Sequence, residues 1–171
     1  MFPVKRVYAY DVLADVQEKF VADMSAQFGF EIIGVKEPKQ AVVESDLVVT
    51  SGPILKHPIP TIEKDWLRPG AYGSAVDFDS YWTAEALSQM DRISTDDHAQ
   101  FQYYKSVGYF QQTPDPYADL GEIVAGLKPG RQDDKERMLA INLGLALDDM
   151  AVAPTIYECA KEKGLGLWLP L

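Results

Sequence analysis

Residues 71–82 read AYGSAVDFDSYW. The glycine and small residues of Ala71–Phe78 predict a buried strand, and the stretch ends in two acids, Asp77 and Asp79, set among aromatic side chains. In a parallel α/β sheet the carboxyl ends of the strands are where ligands bind. On this reading the residues upstream serve to place a nucleotide beside those acids, and the residues downstream form a wall of the same pocket.

Working upstream, Asp46–Thr50 (DLVVT) is a continuous apolar run of the kind found in strands covered on both faces. Before it come a short helix at Pro38–Glu44 and a strand at Phe30–Val35. Asp15–Phe28 predicts a helix that places Val16, Phe20, Met24 and Phe28 on one face, with Gly29 to end it. Arg6–Tyr10 reads as the first strand. The proline-rich segment Gly52–Gly70 is an irregular excursion.

Downstream, Thr83–Met90 predicts a helix and Arg92–Thr95 a strand. Ala99–Phe110 is dense in aromatics, and Leu120–Leu127 is a short helix. Acids at Asp133, Asp134 and Glu136 are expected to open a long helix that Lys161 and Lys163 close, with Pro154 kinking or dividing it. Strands alternating with helices predict an α/β, doubly wound parallel sheet. Residues 1–171 are expected to form a single incomplete Rossmann-type domain, with 133–171 a helical extension and apolar tail.

Sixteen basic against twenty-six acidic residues give a net charge of −10, which repels phosphate backbones and anionic membranes and argues against nucleic acid as a partner. Cys159 is the only cysteine, so an internal disulfide is excluded. No apolar run has the length of a bilayer span, and the simplest expectation is a cytoplasmic protein.

Asp11 directly follows the first strand. In dinucleotide-binding folds an acid at a strand end accepts hydrogen bonds from the adenosine ribose and repels a 2′-phosphate, favouring NAD over NADP. A solvated turn acid or a helix cap is the other reading. The glycine-rich phosphate turn of such folds lies about 20 residues before that acid, yet only ten residues precede Asp11, and no G-x-G-x-x-G occurs elsewhere. The first strand, glycine turn and first helix are therefore expected to be missing from these residues. In the strand order 3-2-1-4-5-6 the missing strand is central. Either another chain fills the gap, the neighbouring strands pair directly, or the chain is a piece of a longer protein.

The stretches FPVKRVYAYDV, DLVVTSGP, LRPGAYGSAVDFD, DLGEIVAGLKPGR and LGLALDDMAVAPTIYECAKEKGLGLWL, in that order and spacing, resemble the C-terminal half of the ornithine cyclodeaminase/μ-crystallin family. The resemblance implies an NAD(P)-binding Rossmann domain normally joined to an N-terminal domain that handles substrate and dimerises. It implies chemistry on small amino or imino acids, by oxidative deamination and cyclisation or by ketimine reduction. By position, Asp11 resembles the ribose-binding acid, and Thr50, Ser51 and Gly52 the strand-end residues that pass under the cofactor. Ala75, Val76 and Asp79 resemble the strand and catalytic acid, and Asn142, Leu143 and Gly144 the segment that reaches the nicotinamide carboxamide.

Two departures limit the transfer. Cyclodeaminases follow the catalytic acid with a small-residue and proline turn, where this chain has Ser80-Tyr81-Trp82. The lysine and arginine that grip the substrate carboxylate in the family fall in the portion that these residues do not match. An active assembly is thus expected to need a homo-oligomer or a second chain supplying the N-terminal half. A non-enzymatic binding or oligomerisation module, or an inactive remnant, is the alternative.

Oxidation at an amino-acid α-carbon needs a hydride acceptor and a proton acceptor near the nitrogen. Asp79 is the candidate proton carrier. Asp77, two residues away in an extended strand, is expected on the same face, where two buried acids would raise each other's proton affinity. The bland alternative has Asp79 capping the helix near Thr83 and Asp77 solvated. A metal site from Asp77, Asp79 and His98 matches no ligand spacing; the acids before His98 are better read as a helix start.

Overall fold

In the computed structural model, residues 3–169 are described. Thirteen elements follow in order: β1 (Arg6–Ala9), α1 (Ala14–Gln27), β2 (Glu31–Gly34), α2 (Pro38–Val42), β3 (Leu47–Thr50), β4 (Tyr72–Ala75), α3 (Ala84–Ser88), β5 (Arg92–Thr95), α4 (His98–Ser106), β6 (Ala118–Asp119), α5 (Leu120–Val124), β7 (Met138–Ile141) and α6 (Ala146–Glu162). Every strand pairing is parallel, as the alternation of strand and helix requires. This is a Rossmann-like α/β arrangement.

The strands form two sheets, β1-β2 and β3-β4-β7-β5-β6. Set against the strand order 3-2-1-4-5-6, β2 and β1 stand for its third and second strands and β3 for its fourth. The break falls where the first strand belongs. Direct pairing of the flanking strands, one of the three outcomes open from the sequence, does not occur: β1 pairs with β2, and β3 with β4.

The core lies on the five-stranded side. β7 is buried along its whole length, between β4 and β5. Around it pack Leu67, Ala75, Phe78, Trp82, Leu87, Ile93, Phe101 and Phe110. Phe101 and Phe110 stack with ring centroids 4.4 Å apart, and Phe78 tilts against Phe110 at 4.9 Å. Buried aromatic pairs of this kind stabilise by about 0.5–1.5 kcal/mol beyond their area.

The structure corrects the C-terminal reading. Residues 138–141 are a strand, not the middle of a helix running from Asp133, and the long helix begins only at Ala146. The run Met138–Ile141 is apolar on both faces because β7 is covered on both, so it carries no two-residue alternation to tell strand from helix. Pro154 sits inside α6 without dividing it. The Met150 carbonyl that loses its donor lies on an exposed stretch, where water can take it. The end of the apolar tail, Pro170 and Leu171, falls outside the described residues.

A second correction concerns β3. Its run was expected to be covered on both faces, yet Leu47 and Val49 are 39% and 66% exposed while Val48 is buried. One face of the sheet is open there. No helix among the described residues is long and apolar enough to cross a membrane.

Candidate functional site

The site is built at the carboxyl ends of β3, β4, β5 and β7. β4 stops at Ala75, and the chain then turns through Phe78, whose φ of +62° lies in the left-handed region that non-glycine residues rarely enter. This turn breaks the two-residue alternation. Asp77 and Asp79 consequently do not share a face, contrary to the expectation for an extended strand, and each meets its own partners.

Asp77 is wholly buried. Thr50 donates its hydroxyl to Asp77 Oδ1 at 2.6 Å, and the Gly52 amide donates to Oδ2 at 2.9 Å. Trp82 Nε1 donates in turn to Thr50 Oγ1 at 3.3 Å. Asp77 thus ties the end of β3 to the end of β4, and the solvated alternative is ruled out. Burial pushes its proton affinity up, against the lowering effect of the Thr50 and Gly52 donors. With both oxygens engaged, Asp77 is a brace for the strand ends.

Asp79 is 4% exposed, and its Oδ2 accepts the Thr113 hydroxyl at 2.7 Å. It does not cap the next helix, whose first free amide is met by the Thr83 side chain. Burial raises its proton affinity and the nearby Asp77 charge adds to that, while Thr113 opposes it. A buried carboxyl whose proton affinity is raised in this way is suited to take and return a proton.

Thr113 was not legible in the sequence. It lies 34 residues from Asp79, and its position depends on the turn in which its amide bonds the Phe110 carbonyl. Asp96 was missed as well. Its carboxylate accepts the amides of Leu143 and Gly144 at 2.7–3.0 Å, so it fixes the segment after β7. Asn142 donates its side-chain amide to Ser74 Oγ at 3.0 Å and its backbone amide to the Ala75 carbonyl at 2.8 Å. Gly144 takes a φ of +86°, a conformation that costs little only without a Cβ.

Tyr81 is the third residue that sequence reasoning undervalued. A Cβ placed on Gly52 would lie 2.5–2.7 Å from the Tyr81 ring and hydroxyl. Only glycine therefore lets that ring close over the loop after β3. Burial raises the proton affinity of the Tyr81 phenolate, and the charges of Asp77 and Asp11 raise it further, so the phenol stays protonated.

Asp11 stands at the end of β1, where the sequence placed it. Its Oδ1 accepts the Leu13 amide at 2.8 Å, so part of its role is local, at the start of α1. Among the described residues no hydrogen bond reaches its Oδ2. Ser51 and Val76 are exposed. His98 pairs with Asp119 through Nδ1 at 3.0 Å and takes no part in the Asp77 and Asp79 networks. Among the described residues no group of three or more His, Cys, Asp or Glu side chains is placed to hold a metal ion.

At this edge Asp11 Oδ2 has no hydrogen-bond partner among the described residues, and the space beside Gly144 is open. The middle is different. Among the described residues no glycine turn follows a strand into a helix, so contacts to a pyrophosphate must come from elsewhere.

The comparisons with known proteins agree with this geometry. Residues 1–164 match the model of the "Ornithine cyclodeaminase/mu-crystallin family". The chain is 29% identical to an alanine dehydrogenase of Archaeoglobus fulgidus, over 97% of this chain and 52% of that protein. It is 30% identical to the N-((2S)-2-amino-2-carboxyethyl)-L-glutamate dehydrogenase of Staphylococcus aureus, over 98% and 51%. Among solved structures, the Thermococcus litoralis Δ1-pyrroline-2-carboxylate reductase in complex with NADH and L-proline superposes with a TM-score of 0.76 at 25% identity, covering 96% of this chain and 53% of that one. An archaeal alanine dehydrogenase dimer with bound NAD gives 0.75 at 26% identity, over 99% and 54%. The chain spans about half the length of the curated relatives it matches. With its sheet topology and its family match over residues 1–164 in agreement, this chain belongs to the ornithine cyclodeaminase/mu-crystallin family.

Proposed function

We propose that this chain is the nucleotide-holding portion of an NAD-dependent enzyme that acts on a small amino or imino acid, completed by an N-terminal substrate half. The observation that carries the reading is the buried Asp79 carboxyl at the end of β4, bonded to Thr113 and raised in proton affinity by burial. The relatives support the class of chemistry: their names describe an alanine dehydrogenase and Δ1-pyrroline-2-carboxylate reductases, and two similar structures hold NADH or NAD.

In this reading Asp79 takes a proton from the substrate nitrogen and returns it to departing ammonia or to the imine. Asp77 holds the ends of β3 and β4 in register, and Asp96 holds the 142–144 segment. Asp11 binds ribose hydroxyls and disfavours a 2′-phosphate, so NADP is the weaker ligand. The bound nicotinamide supplies hydride transfer. The cytoplasm is the simplest compartment for a net charge of −10 and a single exposed cysteine.

The test is a titration of NADH, followed by nicotinamide fluorescence, with the N-terminal half of a family member supplied as a separate polypeptide. Saturable binding that Asp11→Ala weakens supports the reading; no binding under those conditions overturns it. A second reading, a non-enzymatic module that oligomerises, draws on one observation. α6 has no buried residue, and Leu147, Met150, Ile156 and Tyr157 are 54–73% exposed along it. Oligomers that form without any nucleotide binding would favour that reading.

A further inference from the structure

Tyr81 carries a hydroxyl that the fold itself does not use. The backbone beneath it is fixed: its carbonyl accepts the amides of Thr61 and Ile62 at 2.9 and 2.8 Å. The residues on either side, Ser80 and Trp82, are buried. Ser80 donates its hydroxyl to the Asp77 carbonyl at 2.6 Å, and Trp82 Nε1 donates to Thr50 Oγ1. Both neighbours are thus spent on the strand ends, while Tyr81 stays half-exposed. Among the described residues every buried polar side-chain atom has a hydrogen-bond partner. The phenol oxygen has none, so it lies open to solvent.

Its place along the strand ends is the middle. A Cβ on Gly52 would lie 2.5 Å from the phenol oxygen and 2.6–2.7 Å from Cε2 and Cζ, so the hydroxyl edge of the ring rests on the residue that follows β3. To one side run β4 and then β7, with Asn142–Gly144 after β7. To the other side stands Asp11, near enough for its charge to act on the phenol. A dinucleotide with its adenosine ribose on Asp11 and its nicotinamide beside residues 142–144 carries its pyrophosphate past Gly52 and Tyr81. Phosphate oxygens accept hydrogen bonds strongly. Asp11, Asp77 and Asp79 oppose such an anion, and a protonated phenol supplies a donor without adding negative charge.

We propose that the Tyr81 hydroxyl, seated on Gly52, is a binding group for the dinucleotide and donates a hydrogen bond to a pyrophosphate oxygen. The assignment rests on the nucleotide reading given above and adds to it a residue that no acid or glycine pattern marks. Because the backbone on both sides of the ring is already held, little freedom is lost when the ligand arrives. Hydrogen bonds to a charged acceptor are the stronger kind, so a single donor here has a measurable share in affinity.

The experiment titrates ADP, which carries a diphosphate on its ribose, and adenosine, which carries the ribose alone, into the full chain under the conditions set for NADH above. Tyrosines are labelled with carbon-13 at Cζ, and Tyr81→Phe assigns the Tyr81 resonance. That variant removes the donor, leaves the ring on Gly52 and should keep the thermal midpoint of the wild type. The expected result is that ADP moves the Tyr81 resonance and raises the pH at which the phenol ionises, while adenosine does neither. Tyr81→Phe should bind ADP about ten-fold more weakly and adenosine as the wild type does. Equal affinity of variant and wild type for ADP overturns the assignment. So does an equal loss for ADP and adenosine, which would put the hydroxyl on the ribose. Saturable NADH binding that Tyr81→Phe leaves unchanged would remove this inference and spare the function proposed above; a chain that binds neither NADH nor ADP would remove both.

Discussion

The five-stranded body and the β1–α1–β2 unit obey the same local rules and reach opposite ends. In the body every residue of β7 is buried, and aromatic rings from α4 and the turns after β4 close over it. In the other unit the periodicity is just as regular, yet no described residue before Val42 is buried. Val16, Phe20 and Phe28, the stripe that announces α1, are 45–47% exposed. Periodicity forms an element, but burying its apolar face takes a second layer. Two strands and one helix do not supply enough area for that.

The sharpest way to break this contrast is a pair of truncations. Leu139→Ala, at the centre of β7, is expected to cost about 2–5 kcal/mol, whereas Phe20→Ala on α1 should stay within about 0.5 kcal/mol. Urea unfolding of the two variants measures both, and equal losses would mean that the two regions form one cooperative core. Next in size is Thr113→Val. It leaves the Asp79 carboxylate buried without its donor, at a cost of about 1–3 kcal/mol near neutral pH, and raises the proton affinity of Asp79. A carbon-13 NMR titration of the Asp79 carboxyl reads that shift, and Thr113→Ser should reverse it.

The smallest effect is one of slope. Burial raises the proton affinity of Asp79 in the fold above its value in the unfolded chain, so the native state holds the extra proton. Stability from this group is full below the ordinary aspartate range and falls as pH rises through the folded value. Asp79→Asn keeps an acceptor for Thr113 and removes the ionisation. The variant should therefore gain on wild type as pH rises from 4 toward 8, in unfolding followed by circular dichroism. An unchanged difference across that range would show that Asp79 titrates as if in water.

The strands flanked by turn residues, β1, β2, β3 and β5, were legible because each is short, apolar and bounded. β7 was not, since Met138–Ile141 carries good helix formers, sits between acids and a real helix, and is apolar on both faces. The break between the two sheets could be anticipated from the absence of a G-x-G-x-x-G turn in these residues. The site was legible only as a list of acids. What separated Asp77 from Asp79 is a single backbone turn at Phe78, which no pattern of residue types encodes. Their partners, Thr113 and the Thr50 and Gly52 pair, come from loops far away in the chain.

Asp96 has a consequence for α6, none of whose described residues is buried. By gripping the amides of Leu143 and Gly144, it anchors the root of α6 to the strand ends while the helix itself carries no buried residue. A partner that settles on α6 therefore meets a helix whose bearing is already fixed, and less freedom is lost on docking. Any tilt forced on that helix would be felt first at the backbone beside Asn142. A distant contact would thus have a short mechanical route to the ends of β4 and β7.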